Sequence, residues 1–226
     1  MQRYLVPALS AVLLACGGDA PRSGSSDTTT AAEPMDGRGA IVFLGTSLTA
    51  GLGVDPVEAY PELIQAKLDS AGLPYRTQNA GISGETSAGA LERLDWVLQQ
   101  PMDMMVVETG ANDGLRGLSV EALAANLDSI LTRVRRHDST IALVVVGMEA
   151  PPNMGARYAD AFRAVYPAAA ARHGATLVPF LLDRVGGIDS LNTADGIHPN
   201  ARGHRIIVET VWGVLEEVLG RPPVRP

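Results

Sequence analysis

Short apolar runs alternate along this chain with longer segments in which apolar residues recur every three to four positions. The runs at 40–44, 104–108 and 141–147 are continuous enough to be strands buried on both faces, and the last carries Ile141, Leu143 and three consecutive valines. Weaker strand patterns fall at 75–79 and 176–178. Between them, helices are predicted over 60–71, with Pro61 in the first turn, and over 87–99, 120–137, 157–173 and 201–219. The 120–137 segment is the clearest of these, with Leu123, Leu127, Ile130, Leu131 and Val134 on one face. Strand–helix alternation of this kind predicts an α/β domain with a mostly parallel sheet covered on both faces. No internal repeat interrupts it.

The two ends break the pattern. Arg3 precedes an apolar run over 5–15 that stops at Leu14-Ala15-Cys16 and is followed by Gly17 and Gly18. This is the layout of a bacterial lipoprotein signal, in which the cysteine is acylated and becomes the mature N-terminus; an ordinary secretory signal cleaved near Ala15 or Ala20 is the alternative. The run is too short to span a bilayer, and either reading makes the protein an exported one, the first a membrane-anchored lipoprotein facing the periplasm or cell exterior. Residues 17–38 are rich in Gly, Ser, Thr, Ala and Pro and read as a flexible tether, with a random-coil reach of roughly 25 Å. The expected organisation is therefore a signal peptide at 1–15, a lipidated Cys16 and tether at 16–38, one domain at 39–220 and a disordered tail at 221–226.

Composition narrows the function. The chain has 226 residues, 46% of them hydrophobic, and a net charge of -7. Only one of its 18 basic residues is a lysine, Lys67, and the arginines are scattered, so the basic patch that nucleic acid requires is missing. A single cysteine excludes an internal disulfide and any cysteine-based metal site. No two histidines have metal-ligand spacing.

In open parallel sheets, function collects in the loops that leave the carboxyl ends of the strands. There the chain places Ser47, Gly84 and Asn112, with Asp195 and His198 near its end. A serine just past a buried strand is either a helix cap or an exposed nucleophile. His198 lies three residues after Asp195, a spacing at which one turn sets a carboxylate beside an imidazole, and Pro199 ends that turn. Gly84 and Asn112 are each ordinary turn residues or, together, donors to a developing oxyanion. His137, His173 and His204 have unremarkable places in helices.

Four blocks carry more than their members do singly. Gly45-Thr46-Ser47-Leu48, Asn79-Ala80-Gly81-Ile82-Ser83-Gly84-Glu85-Thr86-Ser87, Gly110-Ala111-Asn112-Asp113-Gly114-Leu115-Arg116-Gly117 and Asp195-Gly196-Ile197-His198-Pro199-Asn200 resemble, in order and spacing, the blocks of the SGNH (GDSL) hydrolases. The resemblance is closest to the bacterial thioesterase I/protease I/lysophospholipase group and the arylesterases related to it. It implies a three-layer α/β/α, flavodoxin-like fold and a serine esterase that needs no cofactor. It further implies Ser47 as nucleophile, His198 as general base and Asp195 as the orienting acid, with an oxyanion hole from the Ser47 and Gly84 N–H groups and the Asn112 side chain. One position departs: the family's first block usually reads Gly-Asp-Ser-Leu, and here Thr46 replaces the aspartate. Hydrolysis is expected to survive, with a carboxylate lost from the nucleophile loop.

The alternatives are distinguishable. The α/β-hydrolase elbow reads G-x-S-x-G, and here Thr49 stands two residues after Ser47. Gly51-Leu52-Gly53 supplies neither a dinucleotide nor a P-loop fingerprint. A surface-tethered binding module would have no need for all five site residues. For substrate, the loops at 114–119 and 148–158 are expected to wall an acyl pocket through Leu115, Met148, Pro151 and Met154. Their apolar character suits acyl chains better than sugars, although a carbohydrate O-acetylesterase would use the same catalytic set.

Overall fold

The computed structural model describes residues 37–220. The expected signal segment, Cys16, nearly all of the tether and the 221–226 tail lie outside the described residues.

Five strands form one wholly parallel sheet: β1 (Gly39–Gly45), β2 (Tyr75–Gly81), β3 (Met104–Glu108), β4 (Ala142–Val146) and β5 (Thr176–Val178), in spatial order β2-β1-β3-β4-β5. This is the flavodoxin-like order, and its reversal point lies between β1 and β3. Ile41 to Leu44 in β1 and Met105 to Val107 in β3 are shut off from solvent, as strands covered on both faces must be. Edge strand β2 is only half-buried, which accounts for its weak apolar signal.

Helices cover both faces. On one, α2 (Tyr60–Ser70) packs against α8 (Ala201–Leu219); on the other, α3 (Ser87–Glu92) and α7 (Ala156–His173) both pack on α6 (Val120–His137). The stripe expected on α6 is fully buried from Leu123 through Val134. Ser119 caps its first turn by accepting from the Ala122 N–H. Two very short helices, α1 (Ser47–Ala50) and α5 (Ala111–Leu115), start directly beyond β1 and β3.

One expected element is broken. The helix read over 87–99 ends at Glu92 and resumes as α4 (Leu94–Val97), with Arg93 (ψ 0°) at the join. The apolar spacing continues across the break in Leu91, Leu94 and Val97, so periodicity could not reveal it. At the join, the Arg93 side chain turns toward the ends of β1 and β2.

Candidate active site

The nucleophile loop is built by close approach. In β1 and β3 the register pairs Leu44 with Val107, which sets Gly45 and Thr46 beside Glu108. A Cβ on Gly45 would collide with the Thr49 side chain and press on the Glu108 carboxylate, so only glycine fits where β1 turns into α1. Thr46 caps α1, and Ser47 is its first residue. The loop itself carries no carboxylate, as Thr46 led us to expect, but β3 brings one against it. Glu108 is fully buried, and its carboxylate accepts the Thr46 N–H at 2.7 Å, the Thr46 hydroxyl at 2.9 Å and the Thr49 hydroxyl at 2.9 Å. Burial pushes the Glu108 carboxyl upward, and the threonine donors pull it back. The Thr49 hydroxyl also bonds the Tyr60 hydroxyl at 2.8 Å.

Asp195 and His198 come from far along the chain, His198 being 151 residues from Ser47. Asp195 closes a tight turn on itself: its Oδ1 accepts the Ile197 N–H, the His198 N–H and the Thr193 hydroxyl. Its Oδ2 faces His198 Nδ1 at 2.6 Å, and His198 Nε2 lies 2.9 Å from Ser47 Oγ. The tautomer that satisfies both contacts carries its proton on Nδ1, leaving Nε2 free to accept the serine proton. The His198 backbone N–H first, then its side chain, the Ile197 N–H and the Thr193 hydroxyl, hold the Asp195 carboxyl far below the usual carboxylate range. Asp195 is half-exposed, so this comes from hydrogen bonds and not from burial.

Gly84 lies in the loop between β2 and α3, and Asn112 in the first turn of α5. Gly84 has φ +80°, a conformation other residues rarely adopt, in the segment joining β2 to α3. The Asn112 Nδ2 group donates to the Glu85 carbonyl at 2.9 Å, and Arg116 donates to the Gly84 carbonyl at 2.9 Å. One Asn112 N–H is thus committed to holding the side chain, and the second is available to a substrate. Asn112 lines the cavity at Ser47, and Gly84 does not.

That cavity has a volume of about 430 Å³ and opens at Ser47 and His198. Leu115, Met148, Pro151 and Pro152 form its walls as expected, joined by Phe180 and Leu182 from the loop after β5. Met154 does not belong to it. Its Cε approaches Gly117, and the side chain lines a separate cleft with Leu118 and Tyr158, on the far side of the 115–118 loop. Tyr158 ties the two loops together by donating to the Leu118 carbonyl at 2.8 Å. Two of the exposed large apolar side chains, Leu115 and Ile197, line this cavity.

Sequence reasoning missed Glu108, Arg93, Phe180 and Leu182. The glutamate was visible as a lone acid ending an apolar strand; the others carried no local signal.

The sequence matches the model of the GDSL-like Lipase/Acylhydrolase family over residues 43–206. It is 41% identical to "Esterase TesA" of Pseudomonas aeruginosa, over 79% of this chain and 89% of that protein. It is 34% identical to "Thioesterase 1/protease 1/lysophospholipase L1" of Escherichia coli K12, over 79% of this chain and 84% of that protein. Among solved structures, the psychrotrophic esterase EstA from Pseudoalteromonas sp., inhibited by monoethylphosphonate, superposes with a TM-score of 0.74 at 33% identity, covering 80% of this chain and 99% of that one. The chain belongs to the GDSL-like lipase/acylhydrolase family, the SGNH hydrolases, and is a serine-type carboxylic ester hydrolase.

Proposed function

We propose that the protein hydrolyses medium- to long-chain acyl esters, with lysophospholipids as the natural class, through an acyl-enzyme on Ser47. The observation that carries this is the continuous Ser47–His198–Asp195 hydrogen-bond chain at the mouth of a cavity walled by Leu115, Met148, Pro151, Pro152, Phe180 and Leu182. A cavity of this size and lining takes up an apolar chain and offers few polar groups to a sugar.

His198 Nε2 takes the Ser47 proton as Oγ attacks the ester carbonyl. The tetrahedral oxyanion is met by the Ser47 N–H, the Gly84 N–H and the free Asn112 N–H, each such donor typically supplying about 2.7–4 kcal/mol. His198 returns the proton to the departing alcohol, and water repeats the sequence against the acyl-enzyme. Asp195 remains a carboxylate throughout and fixes the imidazole.

Hydrolysis of p-nitrophenyl esters from acetate to palmitate, by the wild type and Ser47→Ala in parallel, tests the reading. Serine-dependent turnover rising with chain length supports it; an acetate-only profile would move the substrate to carbohydrate or aryl acetates. Export and anchoring through an acylated Cys16 complete the proposal, supported by the apolar run that stops at that cysteine. Intact-mass analysis of the mature N-terminus tests it, and Cys16→Ser is expected to leave the membrane fraction.

A further inference from the structure

Arg93 stands at the break between α3 and α4, and its side chain does not remain at the surface. The guanidinium is 15% exposed and its partner Glu85 only 7%. Nε lies 2.6 Å from one Glu85 carboxylate oxygen and Nη2 2.8 Å from the other, a bidentate pair. The same Nη2 donates to the Ala80 carbonyl at 2.7 Å and reaches the Gly45 carbonyl at 3.4 Å. Those three partners are not neighbours in sequence. Gly45 ends β1 and is followed by Thr46 and Ser47. Ala80 is the penultimate residue of β2, and Glu85 follows Gly84 directly. The Glu85 carbonyl is also the acceptor that holds Asn112.

We infer that Arg93 is a positioning residue for the oxyanion hole: its guanidinium sets the Gly84–Glu85 segment, and through Glu85 the Asn112 amide, at a fixed place relative to the Ser47 end of β1. The inference rests on the assignment of Gly84 and Asn112 as oxyanion donors. Its physical basis is the geometry of the fork. A nearly buried guanidinium is desolvated at considerable cost, which a bidentate carboxylate and two strand-end carbonyls offset only in this one arrangement. A loop held this way cannot drift without leaving a charge unpaired. A catalytic group displaced by about 1 Å loses on the order of a hundredfold in rate, so fixing the loop has a direct kinetic consequence.

The decisive variant is the double change Arg93→Met with Glu85→Gln, which removes both charges together and leaves no buried ion unpaired. It is expected to stay folded while kcat falls about 10- to 100-fold and KM changes less than about threefold, because substrate binding in the apolar cavity is untouched. The rate of inactivation by a fluorophosphonate, whose tetrahedral adduct draws on the same donors, should fall in proportion. Arg93→Lys keeps a cation against Glu85 without the fork and serves if the double variant is unfolded; it should show the same kcat loss in milder form. Combined with Asn112→Ala, Arg93→Lys should cost less than it does alone, since its effect runs through a donor already removed. Wild-type kcat in either folded variant, or full additivity with Asn112→Ala, would overturn the inference. The underlying assignment is tested separately: if Asn112→Ala alone leaves kcat unchanged, the oxyanion hole itself has been misassigned, whatever the Arg93 variants do.

Discussion

Thr46 donates both its backbone N–H and its hydroxyl to the buried carboxylate of Glu108, at 2.7 Å and 2.9 Å. The acid that serves the nucleophile loop therefore comes from the neighbouring strand. This arrangement predicts the outcome of restoring the family's usual residue. Thr46→Asp sets a second carboxyl against Glu108 in a site closed to solvent, and the two must share one proton. That proton is bound more tightly folded than unfolded, so its contribution is present at acid pH and lost as pH rises through the raised value. Thr46→Asp should thus lose stability relative to the wild type as pH rises from the ordinary carboxylate range to neutrality. Urea midpoints across that range check it, and parallel curves for the two proteins would refute shared protonation.

At the triad, the carboxyl of Asp195 is held so low that it stays ionised wherever the enzyme is folded. The acid limb of kcat/KM should then fall with unit slope, reporting one proton on the base and none on the acid. Asp195→Asn should reduce kcat by about 10³- to 10⁴-fold without loss of fold, since its amide keeps an acceptor for the turn but disfavours the required tautomer. A slope of two on the acid limb would mean that the carboxyl titrates as well.

His204 sets an acid limit on the fold. Its Nδ1 accepts the Tyr60 N–H at 3.2 Å, while its Nε2 is buried with no hydrogen-bond partner among the described residues. Burial pushes the imidazole down from 6.5 to about 4. The unfolded chain takes up this proton first, so stability is whole above about pH 6.5, declines as pH falls, and levels off below about 4. The loss attached to this group is roughly 3 kcal/mol. His204→Asn, which keeps an acceptor for Tyr60, should flatten that part of the stability curve; denaturant titrations between pH 7 and 4 measure the difference.

Chain-length preference should reside in the catalytic cavity alone. Met148 is buried in its wall, so Met148→Trp is expected to lower kcat/KM for palmitate at least tenfold while acetate changes less than about threefold. Met154→Ala, in the separate cleft beyond the 115–118 loop, should leave the profile unchanged. An equal response from both variants would join the two cavities functionally.

How far the sequence spoke depended on what kind of force was at work. Strands β1, β3 and β4 were legible because burial on both faces demands continuous apolar residues, and Ser47, Asp195, His198 and Asn112 because parallel strands deliver their loops to one edge. The Asp195–His198 contact spans three residues and needs only a turn. The Arg93 clamp and the Glu108 acceptor are different in kind. Each is a polar contact between residues distant along the chain, fixed by register and by side-chain reach, which periodicity does not encode. Met154 shows the same limit: a loop's apolar character was readable, but not which side of the 115–118 segment its side chain would take.

The turn that carries Asp195 and His198 closes on itself. Thr193 donates to the His198 carbonyl, Asn192 bridges Pro199, and Asn200 caps α8 while bonding back to the Ser190 and Asn192 carbonyls. The hydrogen bond between His198 and Ser47 links this turn to the loop after β1. Local opening of this segment would separate His198 from Ser47 while the strands remained paired, so activity is expected to be lost on heating before the global unfolding transition, which parallel activity and circular-dichroism melts check.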